Sequence, residues 1–114
     1  MVSSALRNRL LRFRRERHWE QFHSPRTLAI ALSVEAAELL EYFQWIGDAD
    51  VERQAAHHRK GIAQEVADLA ILLTYIAHDL ELNLESIVRK KLKLNQQKYP
   101  IEKAKGSAQK YCRF

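Results

Sequence analysis

The chain has 114 residues, 46% of them hydrophobic and 29% charged, which is the size and composition of one ordinary globular domain. The single Cys excludes a disulfide framework and a multi-thiolate metal site, and it fits a reducing, cytoplasmic setting. The net charge of +5 is unevenly distributed: residues 1–19 carry +5, residues 20–88 carry −8, and residues 89–114 carry +8.

Residues that typically start or stop a helix divide the chain into four helical segments. These residues are, in chain order, Ser24, Pro25, Gly47, Asp48, Asp50, Asn83 and Pro100. Ser, Asp and Asn can cap the free N–H groups of a first turn, Pro suits the first helical position, and Gly commonly follows a last turn. We therefore expect helices over about residues 1–21, 25–46, 48–80 and 83–99, the third with a possible break at Gly61.

The second and third of these helices are apolar around most of their circumference. Such a helix must be buried on nearly all sides, and a single chain of this size can hardly enclose two of them. We therefore expect an all-α, four-helix-bundle fold with helices shared across a homo-oligomer, either a dimer or a dimer-of-dimers tetramer. One domain is expected to cover residues 1–100, followed by a loosely ordered, basic C-terminal tail at residues 101–114.

Acidic residues interrupt the two apolar helices at matched spacings. Glu35 and Glu38 lie three residues apart in the second helix, and Glu65 and Asp68 repeat that spacing in the third. Residues three apart project from the same side of a helix, so antiparallel packing of the two helices would bring all four carboxylates together. One such pair is usually a solvated helix face, whereas two pairs inside apolar helices favour a site for a cation.

The type of ligand indicates which cation such a site would bind. Like charges gathered in a poorly solvated place require bound protons or a metal ion. Carboxylate oxygens suit Mg²⁺, with Mn²⁺ as a possible substitute. A di-iron bundle would need Glu-x-x-His pairs, and the third residue after each first Glu is here Glu38 or Asp68. We therefore expect a magnesium site.

The acids also stand in a longer pattern of Glu-x-x-Glu, about 26 residues, and Glu-x-x-Asp. The accompanying blocks are WEQFHSPR at residues 19–26, LSVEAAELLE at 32–41, FQW at 43–45, KYP at 98–100 and KGSAQKY at 105–111. Over about residues 8–111 the chain resembles the all-α nucleoside triphosphate pyrophosphatases, the MazG-like group, and within it the dCTP pyrophosphatase-like branch. Leu10 and Leu72 stand about where vertebrate members of that branch carry His and Tyr.

The resemblance implies Mg²⁺-dependent cleavage of a nucleoside triphosphate, dCTP or a modified dCTP, to the monophosphate and pyrophosphate. By the family pattern, the metal ligands would be Glu35, Glu38, Glu65 and Asp68. The residues that would line the base and sugar pocket are Trp19, Phe22, His23 and Trp45. The residues that would face the phosphates are Lys91, Asn95, Lys98 and Tyr99.

In this interpretation a metal-activated water attacks the α-phosphorus, and a carboxylate accepts its proton. We expect that catalytic base to be Glu38, with Glu41 as the second choice because it continues the same helix face. A surface or interface salt bridge is an equal alternative for Glu41. A lone His such as His23 is more often a hydrogen-bonded structural residue, and His57 and His58, in a charged stretch, are expected to be solvated.

A rival interpretation is a non-enzymatic, basic helical nucleic-acid-binding protein, which the Arg-rich first segment and the Lys-rich fourth segment would favour. The acidic middle would repel nucleic-acid phosphates, so we expect no stable nucleic-acid partner. A catalytically inactive scaffold of the same fold is a third possibility. No membrane partner is expected, because the longest apolar stretch, residues 69–77, is too short to span a bilayer and no signal-like apolar run begins the chain.

Overall fold

The computed structural model describes residues 1–113, and these residues are helical or irregular throughout. The α-helices are α1 (Ser4–Glu16), α2 (Pro25–Glu41), α3 (Val51–His57), α4 (Arg59–Asp79), α5 (Leu84–Lys98) and α6 (Ile101–Ala104). Single 3₁₀ turns lie at Trp19–Phe22, Asp48–Asp50 and Tyr111–Arg113. No strand occurs within residues 1–113, and the predicted all-α class is confirmed.

Two helix starts follow the predicted capping residues. The Ser24 hydroxyl accepts a hydrogen bond from the Thr27 N–H, and the Thr27 hydroxyl accepts one in return from the Ser24 N–H. At α5, the Asn83 side-chain oxygen accepts from the Ser86 N–H, and the helix ends two residues before Pro100. Both starts are local, because every group involved lies within three residues of the cap.

The first two helices are shorter than predicted. The helix α1 ends at Glu16 because the backbone enters the left-handed region at His18, with φ of 56°, before the short turn at Trp19–Phe22. The helix α2 ends at Glu41 instead of residue 46. A side chain from α3 satisfies a carbonyl at that end, since the Gln54 amide donates a hydrogen bond of 2.8 Å to the Tyr42 carbonyl.

The predicted break at Gly61 is wrong. The chain leaves the helix at His58, where α3 ends, and starts α4 at Arg59. Gly61 lies in the first turn of α4, and its backbone continues the helix. The glycine is instead explained by the close approach of a neighbouring side chain, that of Tyr42.

Residues 1–81 form one compact unit, in which α2 and α4 are the main packed pair. The two helices run antiparallel, because positions later on α2 meet positions earlier on α4. Leu28 shares a core cluster with Tyr75, Glu38 approaches Glu65, and Tyr42 touches Gly61. This pairing is the arrangement that the spacing of the acids required.

The core of this unit is small and lies where α1, α2 and α4 meet. Its buried members are Leu11, Leu28 and Tyr75, and Leu10, Ile71, Leu72 and Ile76 pack against them half-buried. The Tyr75 hydroxyl donates a hydrogen bond of 2.9 Å to the Leu10 carbonyl, which ties α1 to α4. Leu28 is 1% exposed, so its truncation to Ala would cost about 2–5 kcal/mol.

Several apolar residues of α2 and α4 stay exposed in the single chain. Ile30 is 56% exposed, Val34 50%, Leu40 56% and Val66 52%. The burial expected on nearly all sides of these helices is therefore not reached within one copy of the chain. No helix within residues 1–113 has the length and apolar character that crossing a membrane requires.

The second compact unit begins at Leu82 and contains α5 and α6. Its C-terminal part packs on the end of α5: the rings of Tyr99 and Tyr111 meet edge to face at 5.9 Å, and the Lys98 ammonium lies 4.9 Å from the Tyr111 ring centre. The division into a domain at residues 1–100 and a tail at residues 101–114 stays a prediction.

Candidate metal and nucleotide site

Three carboxylates converge between α2 and α4. Glu35, Glu38 and Glu65 each offer an oxygen, and these oxygens all lie within 4.8 Å of one another. One side-chain oxygen of Glu35 and one of Glu65, the Oε2 atom in each, is shielded from solvent and has no hydrogen-bond partner within residues 1–113. Unpaired buried carboxylate oxygens are costly. The cluster therefore has the donor atoms and the unmet charge that a hard divalent cation satisfies.

The mutual repulsion of these acids is visible in their pKa values. The pKa of Glu35 is raised, first by the hydrogen bond that its protonated form makes to Glu65, then by desolvation and by the charges of Glu65 and Asp68. The pKa of Glu38 is raised, chiefly by the charge of Glu35. Both pKa shifts arise from the close approach of the carboxylates to one another and from their partial desolvation. Protons and a metal ion would thus compete for the same oxygens.

The structure brings together three of the four predicted ligands. Asp68 lies one turn further along α4 than Glu65, is exposed, and does not belong to the group of converging oxygens. Its charge is nevertheless close enough to raise the pKa of Glu35. The role of Asp68 as a ligand stays a prediction, and so do the roles of the other three.

An open pocket of about 470 Å³ adjoins the carboxylates. The residues that line it are Glu38, Glu41, Tyr42, Gln54, His58 and Glu65. Glu38 and Glu65 belong to both the cluster and the pocket, and Glu41 belongs to the pocket alone. A molecule seated in the pocket would therefore contact two of the three clustered acids.

Sequence reasoning missed three of these lining residues. His58 was expected to be solvated, but it is half-buried and its ring lies 5.3 Å from the Tyr42 ring. Gln54 reaches the pocket because its amide binds the Tyr42 carbonyl. The sequence feature that could have indicated these contacts is Gly61. A glycine near the start of an apolar helix is typical of a close approach by another group.

The predicted aromatic residues do not line this pocket. Phe22 is 64% exposed and Trp45 is 86% exposed, so their faces are free. Trp19 is 43% exposed and meets the Phe13 ring edge to face at 5.5 Å. Because all of them are substantially exposed, none has the burial of a core residue.

His23 occupies a hydrogen-bonded position against α1 and α4. Its Nδ1 atom lies 3.3 Å from a guanidinium nitrogen of Arg14, and its ring lies 5.4 Å from the Tyr75 ring. Burial, followed by the positive charge of Arg14, lowers the pKa of His23. The ring is therefore held in the neutral form by its surroundings. Leu10 and Leu72, at the positions where vertebrate members differ, pack half-buried on the core cluster.

The predicted phosphate-facing residues lie in the second compact unit. Lys91, Asn95 and Lys98 follow one another at intervals of four and three residues on α5, so they share one face of that helix. Tyr99 is the next residue, and its N–H donates to the Asn95 carbonyl at 2.8 Å. This face is basic and continuous over two turns.

Comparison with known proteins places these features in a family. The MazG-like family model matches residues 30–114, a range that includes all four predicted acids. The dCTP pyrophosphatase 1 of Rattus norvegicus is 42% identical over 101 residues, and that of Homo sapiens is 38% identical over 101 residues. Each alignment covers 87% of this chain and 59% of the relative, so the chain spans about three-fifths of the length of these curated relatives.

A solved structure gives the same answer for the fold. A pyrophosphatase from Archaeoglobus fulgidus superposes with a TM-score of 0.78 at 39% identity. The superposition covers 84% of this chain and 90% of that chain. The chain therefore belongs to the MazG-like family.

Proposed function

We propose that this chain is a Mg²⁺-dependent nucleoside triphosphate pyrophosphohydrolase that converts dCTP or a modified dCTP to the monophosphate and pyrophosphate. The observation that carries the proposal is the pair of buried, unpartnered oxygens of Glu35 and Glu65 within the three-carboxylate cluster. The relatives described as dCTP pyrophosphatases and the pyrophosphatase of known structure support the reaction class.

The metal would be held by Glu35, Glu38 and Glu65, with Asp68 as the fourth ligand. A bound Mg²⁺ supplies positive charge for the triphosphate oxygens and lowers the pKa of a water molecule. Glu38 would accept the proton of the attacking water at a carboxylate oxygen; like Glu65 it belongs to the cluster and lines the pocket, and it shares a helix face with Glu41. Glu41, which lines the pocket without belonging to the cluster, is the second choice for that base.

The nucleoside and phosphates would be held by groups outside the cluster. The exposed rings of Trp19, Phe22 and Trp45 have free faces on which a base can stack, and His23 would contact the same nucleoside. Lys91, Asn95, Lys98 and Tyr99 would contact phosphates that the metal does not reach. The basic residues near the two ends of the chain would thereby offset the negative charge of a triphosphate.

The proposed enzyme is a homo-oligomer, a dimer or a dimer-of-dimers tetramer. The half-exposed apolar side chains Ile30, Val34, Leu40 and Val66 support this, because two helices leave apolar surface uncovered in one copy. Light scattering at micromolar concentration should give at least twice the monomer mass of 13.4 kDa. A monomer would contradict the proposal. The exposed, unpaired Cys112 suits the reducing cytoplasm as its compartment.

The test of the reaction is pyrophosphate release from dCTP with Mg²⁺, repeated with EDTA and with Glu38→Gln. We expect turnover in the first case and a loss of about 10²-fold or more in the other two. Glu52→Gln is the matched control, since Glu52 is an exposed acid of α3 that belongs to neither the cluster nor the pocket. Activity that survives both EDTA and Glu38→Gln would refute the mechanism, and salt-sensitive DNA binding without turnover would favour the nucleic-acid alternative.

A further inference from the structure

The contact between Tyr42, the first residue after α2, and Gly61 of α4 lies one helical turn beyond the carboxylate cluster. Tyr42 follows Glu38 by four residues, and Gly61 precedes Glu65 by four. Because the helices are antiparallel, the contact stands about 6 Å along their axes from the level of Glu38 and Glu65. A change in the distance between the helices at Tyr42 and Gly61 must therefore also change the distance between Glu38 and Glu65.

With the Tyr42 ring in its present position, the contact leaves no room for a Cβ atom at position 61. A Cβ atom at Gly61 would overlap the Tyr42 hydroxyl oxygen, and it would stand 3.0 Å from the Tyr42 Cζ atom. Glycine inside a helix costs about 0.5–1 kcal/mol relative to alanine, so helix formation does not explain its presence. The close approach of the phenol does.

Tyr42 has contacts besides the one with Gly61. Its backbone carbonyl accepts the Gln54 amide hydrogen bond of 2.8 Å, and its ring lies 5.3 Å from the ring of His58, the residue between α3 and α4. The Tyr42 residue is half-buried, so moving its ring away from Gly61 would also change the contact with His58.

We propose that Tyr42 and Gly61 form a spacer that sets the separation of Glu38 and Glu65 and thereby the size of the cation that the carboxylates select. The inference rests on the proposed function, in that the cluster is taken to bind a divalent cation. Mg²⁺ requires oxygens at 2.0–2.1 Å, whereas Ca²⁺ accepts 2.3–2.6 Å and more ligands. A spacer with a glycine on one side keeps the helices close, which favours the smaller ion. Tyr42 and Gly61 are positioning residues, since neither is a candidate ligand.

The experiment is calorimetric titration of the full chain with Mg²⁺ and with Ca²⁺, without nucleotide. Gly61→Ala forces the helices apart, so Mg²⁺ affinity should fall about tenfold or more while Ca²⁺ affinity falls less. Adding Tyr42→Phe to Gly61→Ala removes the overlapping oxygen and should restore part of the Mg²⁺ preference. Gly47→Ala is the matched control, because a Cβ there meets no atom within 4 Å, and it should change neither affinity.

Several results would overturn the proposal. Equal losses of Mg²⁺ and Ca²⁺ affinity in Gly61→Ala would indicate a general structural defect, as would the absence of any recovery with Tyr42→Phe. If Gly61→Ala does not fold, as judged by its helical circular dichroism, Tyr42→Leu takes its place and should weaken the discrimination between the two ions. An unchanged ion ratio in Tyr42→Leu contradicts the spacer alone, whereas a wild-type chain that binds neither ion contradicts the proposed function as well.

Discussion

Two groups of charged side chains along α4 differ in how their charges are balanced. Near its C-terminal end, the Arg14 guanidinium donates two hydrogen bonds to the Asp79 carboxylate, one of them 3.0 Å long. Near its N-terminal end, Glu35, Glu38 and Glu65 face one another, with no basic side chain paired to them within residues 1–113. The charges of the first group balance within the fold, whereas the second group has no counter-charge within residues 1–113. The two groups are therefore distinguished by their charge balance more than by their burial.

The balanced group is integrated with the core. Arg14 is 3% exposed, its guanidinium lies 4.6 Å from the Tyr75 ring centre, and it contacts His23. The hydrogen bond from Arg14 lowers the pKa of Asp79, and the same bond raises the pKa of Arg14. The two shifts agree in direction, so both partners favour the ionised pair.

The largest expected effect comes from breaking the balanced pair. Arg14→Met keeps most of the apolar stem but leaves the Asp79 carboxylate, whose side chain is 23% exposed, without its partner, so the free energy of unfolding should fall by about 3 kcal/mol. Urea denaturation in EDTA measures this loss. Adding Asp79→Leu should recover part of it, because the unpaired charge is gone. Arg12→Met, at an exposed position of α1, is the control and should change little; equal losses for both single variants would contradict the distinction.

The next effect tests the unbalanced group through its ligand. Mg²⁺ at a hundred times its dissociation constant should raise the free energy of unfolding of the wild type by about 2.7 kcal/mol. Glu35→Gln should stabilise the protein in EDTA, because it removes repulsion between carboxylates. It should also weaken the stabilisation by Mg²⁺, because it removes a metal ligand. We expect its melting temperature to lie above that of the wild type in EDTA and below it in Mg²⁺. A variant that is less stable than the wild type in both buffers would indicate that Glu35 has a structural role.

The pH dependence of stability should separate the two groups by sign. The pKa values of Glu35 and Glu38 are raised from an ordinary value of 4.5, so in EDTA their contribution to stability is present below that value and is lost as pH rises through the folded-state values. The pKa of Asp79 is lowered from 3.8, so its contribution is present above that value and is lost as pH falls through the folded-state value.

Denaturation midpoints between pH 3 and pH 8 measure both slopes. Combining Glu35→Gln with Glu38→Gln should reduce the loss of stability that occurs as pH rises. Asp79→Asn should reduce the loss of stability that occurs as pH falls. Mg²⁺ should also flatten the alkaline loss, because metal takes the place of protons. If Asp79→Asn flattened the alkaline side, the assignment of the two slopes would be reversed.

The smallest effect is expected at a surface pair that belongs to neither group. Arg53 and Asp50 form an ion pair of 2.9 Å with side chains 81% and 52% exposed. Water screens such a pair, so Arg53→Gln should lower the free energy of unfolding by less than about 0.5 kcal/mol. The change should also disappear in high salt. A loss comparable to that of Arg14→Met would show that charge pairing matters equally everywhere in this protein.

The features that the sequence predicted well depend on short-range rules. The caps at Ser24 and Asn83 follow from residue type and the next three positions. The convergence of Glu35, Glu38 and Glu65 was expected from the spacing of three on each apolar helix, on the condition that the two helices pack antiparallel. Nearby residues therefore determine the caps, whereas the convergence of the acids needs the helix packing as well.

The features that the sequence did not predict depend on contacts between distant residues. Arg14 and Asp79 are 65 positions apart, and nothing in their immediate surroundings marks them as partners. The Tyr42 carbonyl, just after the end of α2, accepts its hydrogen bond from Gln54, which is twelve residues away on another helix. Such pairings require the register of the helices, which is known only once the packing is known. The role of each predicted site residue depends in addition on ligands.

In the proposed oligomer, the half-exposed apolar side chains on α2 and α4 would also make stability depend on protein concentration. Association would bury Ile30, Val34, Leu40 and Val66, and folding would thereby be coupled to mass action. The unfolding midpoint then rises with protein concentration, as it does for any assembly that only folded chains join. Dilution would therefore act on this chain much as a mild denaturant acts on a self-sufficient monomer.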